Sequence, residues 1–252
     1  ISVNITTAGG SFLWCCNGVD DSRYWDGAAW TVLSGALNGI VSADIAHVNL
    51  HKFRLMFCCN NSLSFWYLPV NSISGNASEF PLGPMFKRGG YLMATGTWTL
   101  DGGNGPDDYF VAITSEGEIA MYSGTNPSSA ADWALVGVYY VGTPIGRRCL
   151  LKVSGDLYII TQQALYPMSA FSQSSSTLAR KPLSNKISQA WTQYTTNFGD
   201  LYGWSAVFFP TASMVLVNVP ILDQPEYTNG LLSYQFVLNT NTGAWCRFFG
   251  MS

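Results

Sequence analysis

Charge is scarce in this chain. Only 11% of its 252 residues are Asp, Glu, Lys or Arg, less than half the roughly 25% of an average soluble domain. So few charges predict a subunit that covers much of itself with neighbours. The helix formers Glu and Lys are rare, while Gly, Ser, Thr, Asn, Tyr and Trp are common, which favours strands and turns. A basic excess is also missing: 12 Lys and Arg against 15 Asp and Glu give a net charge of −3. The only basic doublets are Lys87-Arg88, Arg147-Arg148 and Arg180-Lys181. That distribution excludes tight binding to nucleic acid through its phosphates and leaves at most weak contact with passing DNA. No apolar run is long enough for a membrane-spanning helix, and no signal peptide is visible, so no membrane insertion is expected.

The usual marks of catalysis are lacking too. Six cysteines are present (Cys15, Cys16, Cys58, Cys59, Cys149 and Cys246) without a CxxC spacing. Neighbours in a strand point to opposite faces, so the two adjacent pairs read as small buried hydrophobes, as expected of a chain folded in a reducing cytoplasm. The two histidines, His47 and His51, stand four apart, but Val48 occupies the place where a zincin carries glutamate, and no third ligand is evident. Both read as structural. No G-x-S-x-G elbow, P-loop or dinucleotide fingerprint occurs, and Gly102-Gly103-Asn104-Gly105 does not lie between a strand and a helix. No cofactor and no enzymatic activity are expected.

What the chain does have is self-similarity. Leu13-Trp14-Cys15-Cys16-Asn17 returns 43 residues later as Met56-Phe57-Cys58-Cys59-Asn60. A repeat of that length marks blade-type architectures. Asn17-Gly18, Asn60-Asn61, Glu116-Gly117 and Gln162-Gln163 each separate two apolar runs, the pattern of a hairpin. A fifth unit joins 215–219 to 234–238 through a polar excursion at 223–230. The second runs close on Tyr24, Trp66, Tyr122, Tyr166 and Phe236, and a tryptophan follows at Trp30, Trp133 and Trp245, as if opening an outer strand that packs between blades. The expected fold is an all-β, partial β-propeller of about five degenerate four-stranded blades, forming a single domain over 1–252. One stretch differs. Leu183, Ile187, Trp191, Tyr194 and Phe198 trace one face of a helix, with Pro182 at its start and Gly199 at its stop. With the serine-rich stretch before it, 172–200 reads as a loop-plus-helix insert.

The most polar cluster is Asp101-Gly-Gly-Asn104-Gly-Pro-Asp107-Asp108. Asp101, Asn104, Asp107 and Asp108 could offer oxygen ligands to Ca²⁺, although the spacing is not that of an EF-hand and the composition equally suits a tight turn. Ser22, Asp26, Gly27 and Trp30 partly echo the Asp box of sialidases, which is a structural element. A propeller glycosidase or depolymerase would need paired carboxylates, and a receptor- or sugar-binding fibre module would use exposed aromatics. Both remain alternatives.

Residues 86–161, together with 17–30, 66–73 and 239–251, resemble a family of tailed-bacteriophage virion proteins, similar in organisation to the β-propeller nozzle (tail tubular, or DNA-stabilisation) proteins of short-tailed phages. The resemblance implies a structural, non-enzymatic tail protein, part of a longer chain. It would be assembled in the bacterial cytoplasm as a ring of six copies around the DNA exit channel. It would contact portal and adaptor proteins and tail fibres or spikes, retain packaged DNA and let it slide past. No catalytic residues come with the resemblance.

Overall fold

The computed structural model describes residues 1–101, 106–172, 181–221 and 233–249. Five small antiparallel sheets form the blades of a β-propeller, and the chain divides into two compact units, 1–140 and 141–252. The first unit holds three sheets. β1 (Ser2–Thr7), β2 (Gly10–Cys15), β3 (Arg23–Trp25) and β4 (Trp30–Val32) make the first, each strand pairing with the one before it. After β5 (Leu37–Asn38) come β6 (Ile45–His51), β7 (Arg54–Cys59) and β8 (Ser64–Tyr67). β9 (Gly75–Asn76) pairs in parallel with β5, and β10 (Ser78–Pro81) closes the second sheet on β8. The third is β11 (Leu92–Asp101), β12 (Pro106–Thr114), β13 (Glu118–Ser123) and β14 (Ala134–Tyr140).

The second unit holds a three-stranded sheet, β15 (Leu150–Val153), β16 (Asp156–Ile160) and β17 (Leu165–Pro167). Its other sheet has four strands, β18 (Ser205–Phe209), β19 (Met214–Pro220), β20 (Ser233–Asn239) and β21 (Trp245–Phe249). Between the sheets a 3₁₀ turn over Leu183–Ile187 leads into the helix α1 (Ser188–Phe198).

The burial pattern explains the composition. β7 and β13 are inner strands covered on both faces and read as near-continuous apolar runs. β4, at a sheet edge, is exposed throughout. In the first unit, Ile5, Trp14, Leu55 and Phe57 pack between the first and second sheets, while Met56, Phe65, Phe110, Tyr122 and Trp133 pack between the second and third. The alternation of Leu55 and Phe57 against Met56 is the period-2 rule of a strand buried on both sides. No disulfide joins the six cysteines, and Cys16, Cys58, Cys59 and Cys149 serve as core side chains. Turn chemistry sets the sheet edges: Asp26 Oδ1 accepts from the amides of Ala28 (2.8 Å) and Ala29 (2.7 Å), which fixes the β3–β4 turn and holds the carboxyl below its usual range.

The expected helical face is the one used. Trp191 is fully buried, and Leu183, Ile187, Tyr194 and Phe198 pack around it in one cluster with β19 and β20. The first turn is 3₁₀ rather than α. Gly199 ends the helix in the right-handed region, where a Cβ would run into the Thr195 carbonyl. Two of the three blade tryptophans pack as expected. Trp133 stacks on Tyr122 at 5.4 Å, and Trp245 meets Trp191 edge to face at 6.3 Å. Trp30 departs from the expectation: it is 51% exposed and touches Trp25 of its own hairpin.

Candidate functional site

At one end of the second and third sheets the chain turns through Lys52 and Phe53, between β6 and β7. Both residues take left-handed backbone conformations, with φ of 46° and 62°. Two positive φ values make a type I′ hairpin turn, which normally demands Asn-Gly. A left-handed non-glycine residue costs about 1–2 kcal/mol, and here two stand in succession, with 65% of Phe53 exposed. Surrounding bonds hold the strained turn: Asn71 N donates to Phe53 O (2.8 Å), and His51 pairs with Arg54 across it. Strain of this kind gathers where the chain must place a side chain, and the side chain placed here is Lys52.

Lys52 Nζ lies 3.9 Å from Asp108 Oδ2. Asp108 sits on β12 directly opposite Thr99 of β11, whose hydroxyl donates to Asp108 Oδ1 at 2.6 Å. One carboxylate oxygen is thereby anchored and the other turned toward the lysine. The pair lines a cavity of about 270 Å³ with Tyr109, Ser123, Gly124 and Thr125. That volume lies just below the span of drug-sized sites, roughly 300–1,000 Å³, and suits a small ligand.

The far wall is pinned from two sides. Asp132 Oδ2 accepts from Thr125 N (2.8 Å), Thr125 Oγ1 (2.8 Å) and Asn126 N (2.7 Å), and these bonds pull its pKa down. Arg54 donates to Thr125 O (3.1 Å), Leu68 O (3.3 Å) and Asn126 Oδ1 (3.4 Å). Gly124 has a φ of 116° and packs so closely on the Asp132 carbonyl that a Cβ has no room.

His51 lies beneath this pocket, fully buried between Phe110 and Trp133. The His51 Nδ1 lies 3.0 Å from Thr97 Oγ1, which also donates to Leu50 O (3.2 Å). Burial pushes its pKa from the usual 6.5 down to about 4; the Asp108 carboxylate pulls it up, Lys52 pushes it down and the Gly124 backbone pulls it up. A histidine whose folded pKa is depressed releases protons on folding. Its contribution is fully present above pH 6.5, is lost as pH falls toward about 4, and changes no further below that. The loss amounts to about 3 kcal/mol. Urea unfolding of the wild type and of His51→Gln at pH 7.5 and pH 4.5 checks this: the variant's stability should fall less over that interval. Equal losses would mean that His51 does not titrate on unfolding.

The cluster proposed for calcium is only partly described. Asn104 lies outside the described residues, as do the side chains of Asp101 and Asp107. Asp108 is the member whose surroundings are defined, and its partners are Thr99 and Lys52. Among the described residues no group of three or more His, Cys, Asp or Glu side chains could hold a metal. His47 sits on β6, with its Nδ1 3.5 Å from the Thr95 amide. Sequence patterns did not point to Lys52, Ser123, Gly124 and Thr125, because they come from two hairpin ends more than 70 residues apart. The faint local signal was a Lys-Phe pair between two strand-like runs, where a turn was required and no glycine was present.

The class is thus an all-β propeller with a small charged cavity in its first unit. No family model matches the chain, and neither does any curated protein. Solved structures do. One is the "putative 6-phosphogluconolactonase" of Bacteroides fragilis NCTC 9343, at a TM-score of 0.59 and 14% identity, covering 99% of this chain and 70% of that one. A protein of the same description from Bacteroides uniformis ATCC 8492 matches at a TM-score of 0.54 and 11% identity, over 99% of this chain and 71% of that one.

These likenesses correct two expectations. The phage-tail family is not indicated: the matched propellers are bacterial proteins. The step from the resembling segments to a tail nozzle rested on likeness of fold, and one fold hosts many functions. The expectation of a non-enzymatic chain is also overturned, since the matched propellers carry an enzyme's name. The lack of contiguous motifs does not decide the matter, because a propeller can collect site residues from separate hairpin ends.

Proposed function

We propose that this chain is a propeller hydrolase that opens a small lactone or ester bearing an anionic group, at the Lys52–Asp108 cavity of its first unit. The observation that carries the proposal is the 3.9 Å lysine–carboxylate pair on the cavity wall, with one carboxylate oxygen fixed by Thr99. Hydrolysis of a lactone needs a base to take a proton from the attacking water and return it to the ring oxygen as the C–O bond breaks, and an anionic lactone needs a positive group to hold its charge in place. Asp108 supplies the base and Lys52 the charge. Ser123 and Thr125 offer hydroxyl groups to a sugar-like ligand, and the neutral His51 beneath adds no opposing charge. The name borne by the two propellers of like fold supplies the substrate class to test.

The test follows ring opening of 6-phosphogluconolactone and of unphosphorylated gluconolactone at neutral pH, against the spontaneous rate in the same buffer. Catalysed opening is expected, faster for the phosphorylated lactone. Rates no higher than the spontaneous ones, with folded protein, would overturn the proposal.

A further inference from the structure

The second unit has a larger cleft of its own, about 470 Å³, lined by Lys186 and Ile187 of the 3₁₀ turn, Ser188 to Ala190 of α1, and Phe236, Trp245, Cys246 and Arg247 of β20 and β21. Two cations lie on its lining, and no carboxylate does among the described residues. In a chain of net charge −3 this is a local reversal of sign. Neutral groups hold both cations in place: Lys186 Nζ donates to Gly243 O (2.9 Å), and Arg247 Nη1 donates to Tyr234 Oη (3.1 Å). Neither of these two bonds neutralises charge. Phe236, fully buried, and Trp245, half-buried, bring aromatic surface to the lining. The Trp245 ring is fixed by its Nε1–H, which donates to Leu183 O at 3.0 Å, and by edge contact with Trp191. Ser188 and Gln189 add a hydroxyl and an amide.

We propose that this cleft binds a small ring-bearing anion, a sugar acid or sugar phosphate, with its ring against Trp245 and its anionic group between Lys186 and Arg247. The charge comes from these two side chains, and the end of α1 is not needed to supply it. A guanidinium suits carboxylate or phosphate through paired N–H donors, and an aromatic face suits the apolar side of a sugar ring. The volume falls within the range of small-molecule sites. The site lies wholly within the second unit and does not depend on the hydrolase proposal.

Cys246 provides a local reporter, because it is the exposed thiol among the described cysteines and lines the cleft. The experiment measures alkylation of Cys246 by iodoacetamide, read by mass spectrometry on the full chain, with increasing glucuronate, glucose 6-phosphate, glucose or inorganic phosphate. Isothermal titration of the same ligands gives the affinities. Either or both ring anions should slow alkylation and bind with a Kd in the millimolar range or below, about tenfold tighter than glucose and than phosphate alone. Which anion protects identifies carboxylate or phosphate as the preferred group. Lys186→Gln with Arg247→Gln should weaken binding about tenfold or more. Both side chains are exposed, so folding should survive, and circular dichroism checks it. Unchanged affinity in the folded double variant would overturn the proposal. So would equal binding of glucose, or no protection by either anion. Failure of lactone hydrolysis at the first unit would leave this outcome untouched.

Discussion

Replacing Trp191 by alanine should destabilise the second unit by about 5 kcal/mol. Trp191 is the one side chain of α1 that is fully buried, and its ring lies 5.8 Å from Phe236, 6.3 Å from Trp245 and 6.4 Å from Trp204. Truncating a buried tryptophan typically costs 3–5 kcal/mol in lost transfer energy and residual cavity. Its Nε1–H also donates to Thr161 O at 3.1 Å, and losing that bond adds about 1 kcal/mol. In a domain stabilised by roughly 5–15 kcal/mol, such a loss uses up much of the margin. The thermal midpoint should fall by roughly 10–20 °C. Trp191→Phe keeps most of the ring and loses the donor, so it should cost about 1–2 kcal/mol. Trp30→Ala is the control: Trp30 is half exposed on an outermost strand and should cost less than about 1 kcal/mol. Denaturant unfolding of the three variants separates these values. A Trp191→Ala loss no larger than that of Trp30→Ala would mean that α1 does not anchor the core of its unit.

That contrast also shows what the sequence could and could not disclose. Trp30, Trp133 and Trp245 follow a shared pattern of glycine turn and then tryptophan, yet one is exposed and two are packed. The pattern carries the turn and the strand that follows. Whether the strand ends up covered depends on its neighbour in space, and no local signal encodes that. The inner hairpins were legible because their turns are Asn-Gly or similar and their strands are apolar at nearly every position, as in β7 and β13. The first strand of the first sheet, β1, was missed because it mixes exposed and half-buried positions, with no continuous apolar run. The helical face around Trp191 was legible because a 3.6-residue stripe is hard to produce otherwise. The site in the first unit was the least legible. Lys52 belongs to no motif, Asp108 is one of several acids in a glycine-rich stretch, and Gly124 is one glycine among 25. The pairing of β11 with β12, and the packing of the second sheet on the third, bring them to one wall. Composition could not reveal it either, because a low overall charge says nothing of where two opposite charges meet, as Lys52 and Asp108 do at 3.9 Å.

Asp108→Asn should lower kcat for lactone opening by about 100-fold or more while leaving KM within a few-fold, the signature of a group that acts in the transition state. The substitution keeps the shape of the side chain. It also keeps an acceptor for Thr99 Oγ1 at the position now bonded at 2.6 Å, so the fold and the β11–β12 pairing should hold. What it removes is the ability to take a proton from water. Lys52→Gln should behave differently. The positive charge next to the carboxylate disappears while the base remains, so KM for an anionic lactone should rise more than kcat falls. Lys52 also sits in a left-handed turn, with a φ of 46°, where the glutamine carries the same backbone cost and isolates the charge as the variable. Lys52→Gly is the informative companion: it relieves the strained turn and should stabilise the fold by about 1 kcal/mol while losing the same ligand affinity. A stabilised variant that binds substrate less well would locate the reason for the strain in function. Steady-state kinetics on the phosphorylated and the plain lactone decide the assignment. If Asp108→Asn retained full kcat, or if Lys52→Gln treated both lactones alike, the roles given to this pair would be wrong, even though the cavity and its hydrogen bonds stand.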